Sequence, residues 1–144
     1  MYVKYIIEQN ENIMKLLLPF YLQKAGTGFP SPATDYIEED IDLNIHLIKN
    51  APATFIIRVQ GKSMSSIGIY DGDLLVVDKS LKPKNFSTVI ANVNDDLVVK
   101  NFIKEKNLQF LSSGSKNYED KIVLNSNSNV FIWGVITYVI HSTY

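Results

Sequence analysis

The chain of 144 residues contains no cysteine and only two histidines. Without cysteine there can be no disulfide framework, thiolate zinc site or cysteine nucleophile, and a reducing compartment suits the chain. The histidines, His46 and His141, lie far apart in the sequence, so we expect neither a metal site nor a histidine-based catalytic triad.

An excess of positive charge is also missing. The chain contains fourteen Lys and Arg and fifteen Asp and Glu, and its formal net charge is -1. Because no basic stripe is present, direct tight binding to nucleic acid is not expected.

No apolar run is long enough to span a bilayer. The run LLLPFYL at 16–22 resembles the core of a secretory signal, but Glu8 and Glu11 stand where positive charge belongs and Pro19 interrupts it. We expect a soluble, cytoplasmic protein.

What the chain does contain is a series of short β segments. Its length, with 46% hydrophobic residues, predicts one domain with one core. From residue 53 onward, runs rich in Val, Ile, Phe and Tyr alternate with Gly, Asn, Asp or Ser turns. The predicted strands are 53–59, 73–78, 88–93, 96–102, 108–112, 121–124 and 129–140. Regular turn spacing without intervening helices predicts a mostly β domain, with an antiparallel, folded, barrel-like sheet.

An extended segment precedes these strands. Two glycines and two prolines exclude a helix over residues 25–33. Pro30 and Pro32 favour extended geometry, the shape in which proteases hold a substrate backbone, although composition alone favours a flexible linker. Apolar residues at 37, 41, 45 and 48 then predict a short helix or helical turn. We expect an N-terminal arm at 1–33 and a β-rich domain at 34–144.

The last predicted strand is apolar on both faces. Such a strand is either a subunit interface or a central core strand, and the pattern favours neither. Strict alternation puts Phe131, Trp133 and Val135 on one face, and Ile132, Ile136, Tyr138 and Ile140 mostly on the other.

Two residues have catalytic potential, Ser63 in VQGKSMSSIGIYDGDLLVVD (59–78) and Lys100 at the end of DLVVK (96–100). A serine hydroxyl needs a base, and a lysine withdrawn from water into an apolar site can supply a neutral amine. Alternation puts Lys100 on the same strand face as Val98. Taken alone, each residue also fits an ordinary role, because serines before turns and solvated lysines at strand ends are common.

Three segments, in order and in spacing, resemble the LexA and UmuD family of self-cleaving serine peptidases. GFPSPATDYIEEDIDLN (28–44) is similar to the segment that follows the family's cleavage site. Residues 59–78 resemble the nucleophile segment, and ANVNDDLVVKNF (91–102) resembles the segment with the lysine base. The resemblance implies a LexA-type peptidase domain with an extended N-terminal arm.

The same resemblance implies roles for individual residues. Ser63 would be the nucleophile and Lys100 the general base of a Ser-Lys dyad. The oxyanion hole would consist of the backbone N–H groups of Lys62 and Ser63, which need no particular side chain. At position 62 the family commonly has an acidic residue, so Lys62 is a departure that leaves the backbone donor in place.

The cleavage bond has two candidates, because the family's narrow pocket requires a small residue followed by glycine. Ala25-Gly26 meets the requirement of residue type. The family register, counted back from Phe29, instead selects Thr27-Gly28, but threonine is bulkier and β-branched. We favour Ala25-Gly26 narrowly, with the extra Thr27-Gly28 pair absorbed as a bulge.

The resemblance also implies a function, the removal of the protein's own N-terminal arm after DNA damage. A RecA filament on single-stranded DNA would favour the conformation with the arm in the active site, without contributing a catalytic group. The trimmed homodimer would then serve a UmuC-type, error-prone translesion polymerase, and no cofactor is implied.

Other classes of protein remain as alternatives. A signal peptidase with a related dyad should carry a membrane anchor. A LexA-like or phage-repressor-like regulator would lack its DNA-binding domain, because too few residues precede residue 25 for a helix-turn-helix unit. A noncatalytic interaction module would be supported if Ser63 and Lys100 lay far apart.

Overall fold

The computed structural model of the chain describes residues 1–8, 17–21, 37–126 and 129–144. They belong to two compact units, one formed by Met1–Gln9 with Asn50–Tyr144 and the other by Asn10–Lys49. The division into an arm at 1–33 and a domain at 34–144 stays a prediction. No helix within the described ranges is long and apolar enough to cross a membrane.

Ten strands are present in the described residues. They are β1 (Tyr2–Glu8), β2 (Leu17–Tyr21), β3 (Ile37–Asp42), β4 (Thr54–Gln60), β5 (Leu74–Asp78), β6 (Thr88–Val93), β7 (Asp96–Glu105), β8 (Leu108–Ser112), β9 (Ile122–Val123) and β10 (Val130–Ile140). All seven strands predicted from the sequence are among them, and the mostly β fold is confirmed.

The smaller unit contains an antiparallel hairpin of β2 and β3, followed by the single-turn helix α1 (Leu43–Leu47). Asp42 begins the helix, since its carboxylate accepts a hydrogen bond of 2.9 Å from the N–H of Asn44. The helical spacing that starts at Ile37 therefore produces a helical turn only beyond Asp42. The residues before it pair with β2 instead, because strand pairing overrides a weak local helical preference.

The larger unit is an antiparallel sheet of eight strands in the order β1-β4-β5-β10-β6-β7-β8-β9. β1 pairs with β4 along its length and with β7 at its first residue, where Tyr2 is opposite both Gln60 and Val98. Six strands therefore close into a ring, and β8 and β9 extend it beyond β7. The predicted barrel-like sheet is confirmed.

Side chains on both faces of the ring are buried. On β6, Ile90 joins one core cluster whereas Val89 and Ala91 join the other, as alternation requires. The first cluster is Met1, Ile57, Val59, Met64, Ile69, Leu75, Val77, Ile90 and Val99. The second is Val89, Ala91, Val98, Phe102, Leu111 and Val135. The first cluster draws its buried strand residues from β4, β5, β6 and β7, and Val3 of β1 and Trp133 of β10 pack against it. Because all six ring strands contribute, it fills the interior of the ring.

β10 does not keep the strict alternation that the sequence analysis assumed. Its register shifts after Ile132 and again after Ile136, and such shifts re-aim the side chains that follow. Trp133 and Ile136 pack on the first cluster, while Ile132 and Val135 pack on the second. The prediction that Trp133 and Val135 share a face is therefore wrong, and bulges are the physical reason.

The first of these bulges includes a glycine that the packing requires. A Cβ atom at Gly134 would lie 2.6 Å from Cγ1 of Val77, closer than nonbonded carbon atoms approach. Glycine thus lets β10 approach the side chains of β5, its neighbour in the ring.

A tight turn between β6 and β7 fixes the register of the strand that carries Lys100. Asn94 and Asp95 have φ values of 51° and 71°, the left-handed conformation that two-residue hairpin turns require. The side chain of Asn92 supports the turn by accepting a hydrogen bond of 3.1 Å from the N–H of Asp95. The resulting register puts Val89 opposite Lys100.

Candidate active site

Ser63 lies in a tight turn just after β4. Gly61 begins the turn with a φ of 117°, which favours glycine, and its N–H donates to the Asp71 carboxylate at 2.9 Å. Met64, the residue after Ser63, is fully buried in the first cluster and fixes the other end of the turn. Ser63 is thereby held between a fixed backbone and a core residue, while its own side chain stays exposed.

The backbone around Ser63 resembles what an oxyanion hole needs. The carbonyl of Lys62 accepts from the N–H of Ser65 at 3.2 Å, which closes the turn. Within the described part of the chain, no hydrogen bond is donated by the N–H of Lys62 or Ser63. Both donors can therefore serve a bound oxygen atom.

Lys100 lies in the middle of β7 and is half-buried. It shares a strand face with Val98 and Phe102, which are buried in the second core cluster, and its cross-strand partner Val89 belongs to the same cluster. The predicted placement of Lys100 beside Val98 agrees with the structure. The methylene groups of the Lys100 side chain thus lie along the apolar surface of the second cluster.

β1 brings the elements that carry Ser63 and Lys100 together at one end of the ring. β1 is antiparallel to both β4 and β7, and its first residue is opposite both Gln60 and Val98. The residues that follow Gln60 and those that follow Val98 therefore both lie next to the start of β1. The carbonyl of Met1 accepts from the N–H of Val99 at 3.0 Å. On the other side, Cα of Met1 lies 3.4 Å from where a Cβ of Gly61 would be.

The Met1 α-amine contacts Ser63 directly. It donates a hydrogen bond of 2.6 Å to Oγ of Ser63. Burial, and then the charge of Lys100, lower the pKa of this amine below its ordinary value of 8.0. Ser63 therefore contacts the amine of Met1, and Lys100 directly follows Val99, which contacts the carbonyl of Met1.

The amine of Lys100 has a hydroxyl partner of its own. Its Nζ donates a hydrogen bond of 2.5 Å to Oγ of Ser113, which directly follows β8. The pairing of Asn101 with Ser112 explains this contact, since the next pair in the same register is Lys100 with Ser113. The side chains of an opposed pair lie on one face of the sheet.

A carboxylate holds the loop that contains Ser113. Asp120 accepts hydrogen bonds from the N–H of Ser113 at 2.6 Å, from the hydroxyl of Ser112 at 3.1 Å and from the hydroxyl of Ser115. Burial acts to raise the pKa of Asp120, but the hydrogen bonds from Ser115, Ser113 and Ser112 outweigh it and hold the pKa well below its ordinary value.

Sequence reasoning missed three parts of this site: Met1, Ser113 and Asp120. The β-branched and aromatic residues of YVKYIIE were a usable signal for β1, whereas the Ser113 loop gave none, because its contact with Lys100 depends on strand register. The candidate cleavage bonds, Ala25-Gly26 and Thr27-Gly28, lie outside the described residues. Among residues that are described, no group of three or more His, Asp or Glu side chains could hold a metal ion.

Comparison with known proteins identifies related chains. The model of the Peptidase S24-like family matches residues 19–137. ImpA of Salmonella typhimurium is 39% identical over 125 residues, which cover 87% of this chain and 84% of ImpA. MucA of Escherichia coli is 36% identical over 121 residues, 84% of this chain and 82% of MucA. The LexA repressor of Shewanella denitrificans is 38% identical over 112 residues, 78% of this chain but only 54% of the repressor.

These matches define the class of protein first, a self-cleaving serine peptidase. The chain belongs to the Peptidase S24-like family, and the resemblance to its LexA and UmuD members is confirmed. Self-cleavage and a role as a polymerase subunit in SOS mutagenesis fit this family.

The Asp120 cluster generates a prediction about pH. Because the pKa of Asp120 is lower in the folded chain than its ordinary 3.8, the carboxylate contributes stability that is present above that value and lost as pH falls through the folded value. Asp120→Asn should therefore lower the free energy of unfolding near neutral pH by about 1 kcal/mol, a modest value because the side chain is partly exposed. Urea unfolding at several pH values measures the difference.

The matched control is Asp95→Asn, in an exposed turn. Its stability should follow that of the unmodified chain at every pH, whereas the deficit of Asp120→Asn should shrink below about pH 4. A deficit of Asp120→Asn that persists unchanged into acid would contradict the role of the ionised carboxylate.

Proposed function

We propose that this peptidase acts through Ser63 as the nucleophile and Lys100 as the general base. The observation that supports the proposal is that Met1 contacts both segments: its amine donates to Oγ of Ser63, and its carbonyl accepts from the N–H of Val99, the residue before Lys100. A serine hydroxyl has one hydrogen and two lone pairs, so the bond from Met1 leaves the Ser63 hydrogen available to a base.

In the reaction, neutral Lys100 takes the hydroxyl proton as Oγ of Ser63 attacks the scissile carbonyl carbon. The N–H groups of Lys62 and Ser63 stabilise the oxyanion of the tetrahedral intermediate. As the C–N bond breaks, the ammonium of Lys100 returns the proton to the leaving amine. Water, deprotonated by the same lysine, then hydrolyses the acyl-enzyme and restores Ser63.

The substrate is the chain's own N-terminal arm, cut at Ala25-Gly26 or, in the alternative register, at Thr27-Gly28. A RecA filament on single-stranded DNA stimulates cleavage in the cytoplasm by favouring the conformation in which the arm occupies the site. The trimmed protein then acts as a subunit of a UmuC-type translesion polymerase. Membership of the family and the similarity to ImpA and MucA support this assignment.

A homodimer is part of the proposal, with β10 as the contact. β10 pairs with β6 over Val130–Val135 and with β5 over Val135–Ile140, so its last residues have a strand neighbour on one side only in the described chain. Val139 and Ile140 in this part are 38% and 42% exposed. An exposed apolar strand with an open edge is suited to pairing with a second copy.

Incubation of the purified chain with RecA, ATP and single-stranded DNA tests the catalytic assignment. Ser63→Ala removes the nucleophile and Lys100→Arg replaces the base with a permanently charged guanidinium, so each should abolish cleavage while circular dichroism stays unchanged. Ser65→Ala in the same turn and Lys104→Arg on the same strand are the controls and should cleave normally. Cleavage by Ser63→Ala at the normal rate would eliminate Ser63 as the nucleophile.

The mass of the large fragment from the same digest identifies the scissile bond. We expect a product that begins at Gly26, since alanine fits a narrow pocket better than threonine does. A product beginning at Gly28 is shorter by one Gly-Thr dipeptide and would show that the family register decides. A fragment beginning at neither glycine would refute both assignments.

Analytical ultracentrifugation of the trimmed chain tests the dimer. Two chains should sediment together at micromolar concentration, and Ile140→Asp should shift the population to monomer because a charge is costly in an apolar contact. Leu81→Asp is the matched control, since Leu81 is 47% exposed on a different segment. A monomeric unmodified chain would refute the dimer, and an equally stable Ile140→Asp dimer would refute the contact at β10.

A further inference from the structure

The strongest unassigned feature of the molecule is the partner of Lys100. The 2.5 Å hydrogen bond from Nζ to Oγ of Ser113 joins the proposed base to a residue thirteen positions later in the chain. Both side chains are only partly exposed. Since the contact follows from the register of β7 with β8, a rigid sheet rather than a loose side chain determines its geometry.

Ser113 itself is held in place from the other side. Its N–H donates to Oδ2 of Asp120 at 2.6 Å, and its hydroxyl also contributes to the stabilisation of that carboxylate. Asp120 thus holds the backbone of Ser113, while the hydroxyl of Ser113 accepts a hydrogen bond from the amine of Lys100.

We propose that Ser113 is a positioning residue for Lys100, an inference that rests on the proposed role of Lys100 as the base. A neutral amine has two hydrogens and one lone pair, and it accepts a proton only through the lone pair. When Ser113 accepts one N–H, rotation about the terminal C–N bond of Lys100 is restricted. The lone pair is then held in a fixed direction, which makes proton transfer from Ser63 more frequent.

Ser113 also affects the proton equilibrium of the site. The hydroxyl of Ser113 is a hydrogen-bond acceptor for the amine of Lys100. In general, an acceptor stabilises the ammonium form of an amine more than the neutral form. Removing the Ser113 hydroxyl should therefore make the neutral amine available at lower pH.

The test is the rate of self-cleavage of the full chain without RecA, measured from neutral to alkaline pH. Ser113→Ala should reduce the plateau rate about fivefold, the effect of losing one hydrogen bond between neutral groups. It should also move the midpoint of the pH-rate profile to lower pH. Ser113→Thr keeps the hydroxyl and should recover most of the rate and the original midpoint.

Ser115→Ala is the matched control, since it removes another hydroxyl from Asp120 without touching Lys100. It should leave the midpoint unchanged and the rate within about twofold, as expected when only the support of the loop is weakened. Three outcomes overturn the inference. In the first, Ser113→Ala has the same plateau rate and midpoint as the unmodified chain. In the second, Ser113→Ala and Ser115→Ala lose the same amount of rate with no shift of midpoint, and in the third, Ser113→Thr is as slow as Ser113→Ala.

Failure of the proposed function looks different in the same assay. If the unmodified chain does not cleave itself, or if Lys100→Arg cleaves normally, Lys100 is not the base and this inference falls with the proposed function. If cleavage depends on Ser63 and Lys100 but is indifferent to Ser113, only the positioning role is refuted.

Discussion

Closure of the ring by β1 is the constraint on which the rest of the structure depends. Backbone pairing on both sides of Tyr2 satisfies edges of β4 and β7 that would otherwise be open. The same strand delivers the side chain of Met1 to the interior cluster and its carbonyl to the N–H of Val99. Without this strand, Ser63 and Lys100 would be connected only by the long way round the sheet, through β5, β10 and β6.

The electrostatics of the site follow from this arrangement. Two amines have a serine oxygen as partner here, Met1 with Ser63 and Lys100 with Ser113. Burial, and then the charge of Lys100, lower the pKa of the Met1 amine. Asp120 accepts from the N–H of Ser113 and so holds the loop after β8 against Lys100.

The strands from β4 onward could be predicted from sequence because each is a β-branched or aromatic run between turn residues, as in the β6–β7 hairpin with Asn94-Asp95. The run YVKYIIE was a usable signal for β1, but its place in the ring could not be predicted, since its partners in β4 lie about fifty residues away and local pattern carries no information on them. The bulges of β10 could not be predicted either, because residues 132–136 include no polar side chain that would mark a change of face. Ser63 and Lys100 were identified by resemblance to a family, since a serine in a turn and a lysine in a strand are individually ordinary.

The topology also bears on when the site can form. The β4–β5 and β6–β7 pairs join neighbours in the sequence, so their loop-closure entropy is small and we expect them early in folding. Tyr2 and Val98 pair although most of the chain lies between them in the sequence. We therefore expect closure of the ring by this pairing late in folding. During synthesis, β1 must wait until β7 has emerged. A nascent or partly folded chain therefore lacks the contacts of Met1 with Ser63 and Val99 until β7 is in place.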